Sequence, residues 1–311
     1  MKIAVVGSGA LGGFFGALFA QTGQDVTLVD VDPKKVEAIR ASGLTVTTRD
    51  GERTVRIPIT QSTKEVGPAD LVFFSVKSYA TLAAAQTLPP LLKADTLVMS
   101  IQNGIGNVEK IASVVGPERV VGGITAHSFQ MLSPSHIRYV GGAGHMHIGK
   151  VDARNTPRVQ EVAAILRQGG VEAEVNENIQ DFIWFKLMVN TPINAIAAIT
   201  RFKNGELAES EGVRQLMRLV ADEAIAVAKD EGVRFLGEGH PVDACLTALR
   251  AAAENKASML QDVEAGRRTE IDAINGAIVE RAAKHGIAVP VNETLVRLVK
   301  VIEAQYLGER P

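Results

Sequence analysis

The chain has 311 residues, of which 46% are hydrophobic and 22% charged, a composition typical of globular proteins with one or two domains and not of disordered or fibrous chains. Its formal charge of −2 lacks the basic excess that non-specific nucleic-acid binding requires, so small molecules are the expected partners. The single cysteine, Cys245, excludes an internal disulfide, and no Cys/His spacing suits zinc. We therefore expect no metal site and a reducing compartment, the cytoplasm.

The first 20 residues contain a lysine followed by small and apolar residues, as a signal peptide would, but several glycines interrupt them. No other stretch offers the roughly 18 consecutive apolar residues that a membrane helix needs. We expect neither a targeting segment nor a membrane partner.

Short apolar runs alternate with helical stretches in the first half of the chain. Because both faces of these runs are apolar, they predict buried strands of a parallel α/β sheet. The predicted strands are residues 2–6, 26–29, 71–76, 97–101 and 120–124. Two hairpins, 44–48 with 54–59 and 135–140 with 145–149, are predicted to extend one edge of this sheet.

Helical patterns replace strand patterns from about residue 176. Between Gly212 and Gly232 the apolar residues follow the i, i+3, i+4 rule of one buried stripe. Thr269 predicts the N-cap of a helix that ends at Gly286. These patterns predict an α/β domain at residues 1–175 and an all-helical second domain at residues 176–311.

A glycine-rich turn follows the first predicted strand immediately and leads into a predicted helix. It reads Gly7-Ser8-Gly9-Ala10-Leu11-Gly12, the G-x-G-x-x-G pattern of dinucleotide-binding folds. Gly7 allows the tight turn, Gly9 lets backbone N–H groups approach a pyrophosphate, and Gly12 permits close packing of helix on strand. We therefore expect a Rossmann-type domain that binds a dinucleotide at these six residues.

Asp30 closes the second predicted strand. An acidic residue there accepts hydrogen bonds from the adenosine ribose and repels a 2′-phosphate, which favours NAD(H) over NADP(H). At about 5 Å and an effective dielectric near 20, the repulsion between the carboxylate and one phosphate charge is roughly 3 kcal/mol before screening by salt. Lys34 and Lys35 leave NADP(H) open, since either side chain could reach a phosphate.

Three segments of the second half carry polar groups that share helix faces. Lys186, Asn190 and Asn194 lie four residues apart, and Asn255 lies about one turn before Ser258. Glu270 is predicted to open the helix capped at position 269. Spacing alone is equally consistent with roles that are not catalytic. The Lys186, Asn190 and Asn194 side chains could form a solvated stripe of the helix, and Glu270 could complement the helix dipole.

The sequence resembles the ketopantoate reductases (2-dehydropantoate 2-reductases) over essentially its whole length. Besides the opening glycine pattern, the shared motifs are Val76-Lys77, Gln102-Asn103-Gly104-Ile105-Gly106, Lys186 with Asn190 and Asn194, Asn204-Gly205-Glu206, residues 254–262, Thr269-Glu270-Ile271-Asp272 with Asn275-Gly276, and residues 286–290. The resemblance implies an enzyme that reduces ketopantoate to pantoate with NADPH for coenzyme A synthesis. It also implies an active site between a Rossmann domain and a helical domain.

The resemblance implies that Lys186 protonates the ketone oxygen and that Glu270 lies near that lysine and the nicotinamide ribose. It assigns substrate binding to Asn103, Asn190, Asn194, Asn204, Asn255 and Ser258, and cofactor contacts to Lys77 and Asn103. The sequence departs from the family at Asp30-Val31, where many members have an arginine for the 2′-phosphate, and at Gln102, where some have a histidine. NAD(H) is thus favoured by Asp30, with NADP(H) as the family alternative.

Two other functions stay open at this point. One is reduction of another small 2-oxo acid or a lactone by the same fold and the same lysine. The other is dinucleotide sensing without turnover, which the presence of both Lys186 and Glu270 argues against. The sequence also leaves open whether the chain forms a homodimer.

Overall fold

The computed structural model describes residues 1–142, 145–236 and 239–308. Its internal contacts divide the chain into two units. Unit 1 comprises Met1–Gln102 and Asn107–Ile179, whereas unit 2 comprises Asn103–Gly106 and the residues from Gln180 onward. A short turn from the first half of the chain therefore packs with the second half.

Unit 1 contains both β-sheets. Its described strands are β1 Lys2–Val6, β2 Asp25–Val29, β3 Leu44–Thr48, β4 Gly51–Val55, β5 Ile59–Thr60, β6 Leu71–Phe74, β7 Leu97–Ser100, β8 Val120–Ile124, β9 Ser128–Ser133, β10 His136–Gly141, β11 Met146–Lys150 and β12 Ala173–Val175. Its described α-helices are α1 Ala10–Gln21, α2 Pro33–Ser42, α3 Thr81–Ala85, α4 Asn107–Val115 and α5 Pro157–Gln168.

The larger sheet has the order β12-β11-β8-β7-β6-β1-β2-β5. The strands from β8 to β5 run parallel, and β11 pairs antiparallel with β8. Ile3 lies opposite Val26 on one side and Leu71 on the other, and all three are buried. The five predicted central strands are confirmed, with ends that shift by one or two residues.

The smaller sheet has the order β4-β3-β10-β9. The predicted hairpin of 44–48 with 54–59 is confirmed only in part, because the partner strand is Gly51–Val55 and Ile59 belongs to β5 of the main sheet. The hairpin lies in this second sheet and does not extend the main one. The predicted hairpin of 135–140 with 145–149 is wrong, because β10 pairs with β9 and β3 whereas β11 pairs with β8 and β12. β11 is nearly all buried and joins the main sheet, while β10 is mostly half-buried, with Ile137 and Gly141 buried and Arg138 exposed. Ala143 and Gly144 of the predicted turn lie outside the described residues.

Unit 2 is helical, as predicted. Its described α-helices are α6 Ile179–Thr200, α7 Asn204–Glu209, α8 Glu211–Asp230, α9 Pro241–Ala251, α10 Ser258–Glu264, α11 Asn275–His285 and α12 Pro290–Leu307. The predicted stripe of α8 is confirmed, since Val213, Met217, Val220, Ala224 and Val227 are buried on one side of the helix.

The helix predicted to start at Thr269 is wrong at its N-terminus, because α11 begins only at Asn275 and residues 271–273 form a 3₁₀ turn. Thr269 Oγ1 accepts a hydrogen bond from the Ile271 N–H at 3.2 Å. Such a local side-chain bond competes with helix formation. Glu270 therefore lies in a turn and does not open a helix.

α6 corrects the expectation that no segment is apolar and long enough to cross a membrane. By length and composition it passes that test, with a mean hydropathy of 1.4 over its most apolar window, and it is the one described helix that does. In the structure, 61% of that window is buried. The buried core helix of a folded protein meets the same length and hydropathy criteria as a membrane-spanning helix, so these criteria alone do not assign α6 to a membrane.

Candidate active site

The glycine turn of unit 1 leaves open space where a dinucleotide phosphate is expected. A Cβ atom on Gly7 would lie 2.8 Å from the Val76 amide nitrogen, and one on Gly12 would lie 2.0 Å from the Gly7 carbonyl oxygen. These two positions therefore require glycine. A Cβ on Gly9, by contrast, would meet no atom within 4 Å. The backbone at Gly9 is thus open on one side, as the approach of a pyrophosphate requires.

The N-terminus of α1 lies at the same turn. Gly9 is its N-cap residue; among the described residues, none caps this end through its side chain, and none in the first turn is acidic. The exposed N–H groups and the positive end of the helix dipole attract an anion. The residues present therefore fit a dinucleotide with its phosphates at Gly9, Ala10 and Leu11.

The Asp30 carboxylate binds the glycine turn through hydrogen bonds from Ser8. Its Oδ2 accepts hydrogen bonds from the Ser8 N–H at 2.8 Å, the Ser8 hydroxyl at 2.8 Å and the Lys35 ammonium at 2.7 Å, and its Oδ1 accepts one from the Asp32 N–H at 3.1 Å. Burial raises the pKa of Asp30, but the charge of Lys35 and the hydrogen bonds from Lys35, the Asp32 N–H and the Ser8 hydroxyl together lower it by more, so the net shift is downward. The sequence leaves open whether Lys35 faces solvent or a phosphate, and its pairing with Asp30 is a finding of the structure.

Gln102 supports the loop that carries Lys77. Its side-chain Nε2 donates to the Val76 carbonyl at 2.7 Å and to the Thr81 hydroxyl at 2.8 Å, and its Oε1 accepts from the Ser100 hydroxyl at 2.8 Å. Lys77 lies between these anchors, immediately before a 3₁₀ turn. No role for Gln102 followed from its position in the sequence. The structure ties it to the loop that follows β6.

Unit 2 has a candidate site of its own, which contains a lysine and a glutamate. Lys186 is partly buried on α6, and Glu270 is 7% exposed. Desolvation lowers the pKa of Lys186 to about 8, against the opposing effect of the Glu270 charge, which raises it. The net direction, which the sequence left undetermined, is downward. An ammonium with this pKa is charged at neutral pH and can release its proton close to that pH.

The predicted amide side chains meet in pairs within unit 2. Asn190 Nδ2 donates to Asn103 Oδ1 at 3.4 Å. Asn194 Oδ1 accepts from the Ser258 hydroxyl at 3.0 Å and from the Met259 N–H at 3.2 Å, so it holds the start of α10. Two acceptor bonds fill the lone pairs of the Asn194 oxygen.

Asn204 and Asn255 are joined through their backbones, since the Asn204 N–H donates to the Asn255 carbonyl at 3.0 Å. The side-chain oxygen of Asn204 is buried, and the described residues offer it no hydrogen-bond partner. Buried acceptors normally have a donor, so this oxygen fits a ligand hydroxyl. Within the described part of the chain, no group of three or more His, Cys, Asp or Glu residues could hold a metal ion.

The turn that carries Asn103 packs against the segment that follows Glu270. Gly104 has φ +83°, and a Cβ there would lie 2.1 Å from the Ala273 carbonyl oxygen. The same oxygen accepts the Ile105 N–H at 3.0 Å. Glycine at position 104 is therefore required both by its backbone angle and by this close approach.

Comparisons with known proteins agree over nearly the whole chain. Residues 3–153 match the family described as ketopantoate reductase PanE/ApbA. Residues 178–303 match the family described as the C-terminal part of ketopantoate reductase PanE/ApbA. A 2-dehydropantoate 2-reductase of Archaeoglobus fulgidus is 36% identical over 306 residues, which cover 97% of this chain and 98% of the relative.

Two solved structures extend the comparison to the fold. A PanE/ApbA family ketopantoate reductase from Ralstonia eutropha JMP134 superposes with a TM-score of 0.90 at 35% identity, covering 99% of this chain and 100% of that one. A D-mandelate dehydrogenase, solved with NADH and anilino(oxo)acetate, superposes with a TM-score of 0.93 at 28% identity, covering 99% of each chain.

Proposed function

The chain belongs to the ketopantoate reductase PanE/ApbA family, and we propose that it reduces 2-dehydropantoate to pantoate in coenzyme A biosynthesis. The observation that carries this proposal is the partly buried Lys186, whose pKa burial lowers to about 8 against the charge of Glu270. A proton donor of this kind is what reduction of a ketone requires. Another 2-oxo acid, a lactone, or dinucleotide sensing without turnover is favoured by no feature of the site.

The glycine turn of unit 1 is assigned to the cofactor. Gly7, Ser8, Gly9, Ala10, Leu11 and Gly12 would hold the pyrophosphate, with Asp30, Lys77 and Asn103 as further contacts. A nicotinamide cofactor, when bound, supplies the hydride. In this assignment residues 1–175 are the dinucleotide-binding domain and residues 176–311 the substrate-binding and catalytic domain.

Lys186 and Glu270 are assigned to catalysis. As the keto carbon gains a hydride, the π electrons of its C=O bond move to the oxygen, the bond becomes a single bond and negative charge develops on the oxygen. The Lys186 ammonium stabilises that charge and then transfers one proton to the oxygen, which leaves a hydroxyl group and a neutral amine. Glu270 favours the charged ammonium and so keeps the proton available at neutral pH.

The amides and the hydroxyl of unit 2 are assigned to the substrate. Asn103, Asn190, Asn204, Asn255 and Ser258 would bind its carboxylate and hydroxyl groups without adding a charge that competes with the lysine. Asn194 is assigned mainly to hold Ser258 and α10, because its side-chain oxygen already accepts two bonds.

NADH is the proposed cofactor, with NADPH as the family alternative. Asp30 Oδ1 accepts one hydrogen bond and can accept a second from a ribose hydroxyl. Lys35 offsets part of the carboxylate charge, so the preference is expected to be moderate. The similar D-mandelate dehydrogenase was solved with NADH. The unpaired, buried Cys245 supports the cytoplasm as the location.

The test is cofactor oxidation, followed by absorbance, with NADH and with NADPH across a panel of 2-oxo acids. The panel includes 2-dehydropantoate, a straight-chain 2-oxo acid and the aromatic 2-oxo acid that corresponds to mandelate. We expect the highest kcat/KM with 2-dehydropantoate. A higher value with the aromatic acid would replace the proposed substrate, and no turnover of any acid would overturn the proposed reaction.

A further inference from the structure

The C-terminal helix α12 binds the segment that carries Glu270 through one polar face. Lys300, Glu303 and Tyr306 are three residues apart and therefore lie on the same side of the helix. Three contacts join that face to the segment: the Tyr306 hydroxyl donates to the Arg267 carbonyl at 2.9 Å, the Thr269 N–H donates to Glu303 Oε1 at 2.6 Å, and Lys300 Nζ donates to Asp272 Oδ2 at 2.5 Å. The segment thus runs along α12 in the opposite direction.

Glu303 is the buried member of this face. It is 4% exposed, and its second oxygen lies 3.5 Å from Lys300 Nζ. Placing a carboxylate out of water is unfavourable unless hydrogen bonds and an opposite charge compensate it. The compensating groups here are the Thr269 amide and the Lys300 ammonium. The buried charge is therefore directed at the backbone next to Glu270.

Glu270 is held from both sides along the chain. On one side, Thr269 is fixed by Glu303 and accepts the Ile271 N–H with its hydroxyl. On the other side, the Ala273 carbonyl accepts the Ile105 N–H. Residues 271–273 form a 3₁₀ turn, and the Glu270 carbonyl accepts the N–H groups of Ala273 at 3.0 Å and Ile274 at 3.2 Å. Because this turn is short, the bonds of Thr269 and Ala273 add to it in defining the position of the Glu270 backbone.

We propose that Glu303 is a positioning residue that holds Glu270, through the Thr269 N–H, at the place where the Glu270 charge acts on Lys186. The inference rests on the proposed function, in which Lys186 transfers the proton. It adds that α12 influences the efficiency of the proton transfer through the position of Glu270.

The test compares Glu303→Leu, which removes the acceptor, with Glu303→Gln, which keeps an acceptor oxygen for Thr269. We expect Glu303→Leu to lower kcat by about tenfold to a hundredfold, the usual effect of a catalytic group that moves by about 1 Å. Glu303→Gln should keep most of the activity, and the KM for the cofactor should stay unchanged in both variants. Glu293→Gln, at a half-buried carboxylate of the same helix that pairs with Arg297 and not with residues 267–273, is the matched control.

The pH profile provides a readout that a loss of stability alone would not move. The Glu270 charge raises the pKa of Lys186, so a displaced Glu270 lowers it, and kcat for reduction then falls at a lower pH. We expect the basic limb in Glu303→Leu to move down by about half a unit or more. Among the described residues, the charged and titratable groups around Glu303 are Lys300, with its second partner Asp272, and the Tyr306 phenol, and neither variant alters any of them.

Hydrogen exchange of the peptide that spans residues 267–273 tests the contact without any turnover. Exchange should rise in Glu303→Leu and stay near the wild-type level in Glu303→Gln. If the wild type reduces no 2-oxo acid, the proposed function fails while this measurement still tests the hold on Thr269. Unchanged exchange, or an unchanged pH limb in an active Glu303→Leu, would overturn the proposal. Should Glu303→Leu not fold, Glu303→Asp, which withdraws the oxygen by one methylene, must show the same changes in smaller degree.

Discussion

Two pairs of a lysine with a carboxylate, one from each unit, differ in what surrounds their charges. In unit 1, Lys35 Nζ lies 2.7 Å from Asp30, whose carboxylate also binds the N–H groups of Ser8 and Asp32. In unit 2, the Glu270 charge acts on Lys186, but the dominant effect on the lysine is burial. The Asp30 carboxyl has its pKa held below the ordinary value, whereas the pKa of the Lys186 ammonium falls to about 8.

The difference shows that the surroundings of a lysine and a carboxylate decide whether the pair holds the structure together or takes part in proton transfer. Many donors around a buried carboxylate stabilise its charge and lower its pKa. A buried ammonium with one opposing charge keeps its titration close to neutral pH, where proton transfer is efficient. The first pair is therefore suited to hold a turn, and the second to move a proton.

The largest expected effect concerns the chemical pair. Lys186→Ala should lower kcat by about a hundredfold or more, because its interaction with the substrate oxygen grows in the transition state. The dinucleotide Kd should stay close to that of the wild type, since the glycine turn is in unit 1. Lys229→Ala, at an exposed position of α8, is the control. A folded Lys186→Ala with near-normal kcat would end the assignment of this lysine.

The structural pair makes a prediction about the cofactor. Asp30→Asn should reduce the ratio of kcat/KM for NADH over NADPH by roughly tenfold, because it removes a negative charge near the ribose. Lys35→Met should increase the ratio, since it leaves that charge uncompensated. Asp30→Ala is a poor choice, because Ser8 would lose the acceptor of two hydrogen bonds and both cofactors would bind less well. A wild type that prefers NADPH outright would contradict the proposed role of Asp30.

Substitutions of the residues assigned to the substrate are expected to have smaller effects than those at Lys186 and Asp30. Ser258→Ala and Asn255→Ala should each raise the KM for the keto acid by about fivefold, the effect of losing one hydrogen bond of about 1 kcal/mol. Calorimetry should give an unchanged Kd for the dinucleotide. Thr247→Ala, on the exposed side of α9, should change neither value. A weaker dinucleotide Kd in Ser258→Ala would assign α10 to the cofactor instead.

The smallest expected effect is the pH dependence of the chemical pair. The proton donor is the charged form of Lys186, so kcat for reduction should be level below its pKa and fall as the pH rises through about 8. Glu270→Gln removes the charge that raises this pKa, and the basic limb should move to lower pH by about half a unit. Initial rates from pH 6 to 10 measure both limbs. A limb that moves upward would show that Glu270 does not favour the charged lysine.

The sequence predicts those parts of this molecule that depend on local pattern. The central strands were found because they are apolar on both faces, and Lys186 with Asn190 was placed on one helix face by spacing. The pairing of β10 and β11 was wrong, because a pattern of strands does not say which strands are neighbours. The Thr269 N–H bonds Glu303, 34 residues away, and no local pattern predicts such a contact.

Electrostatics set a further limit on prediction. The direction of the Lys186 pKa depends on the balance of burial against one carboxylate, and that balance exists only in the folded chain. Lys35 is close to Asp30 in sequence, yet its ammonium could have faced solvent or a ligand. Which of these it does is decided by the packing of α2 on the sheet.

The turn Asn103–Gly106 makes unit 2 discontinuous along the chain. During synthesis this turn leaves the ribosome long before α11, and the Ile105 amide cannot reach the Ala273 carbonyl until the C-terminal helices exist. A fragment that starts at Gln180 therefore lacks a piece of its own fold. Contacts between residues far apart in the chain form slowly, so we expect the contact of Ile105 with Ala273 to be among the last to form during folding.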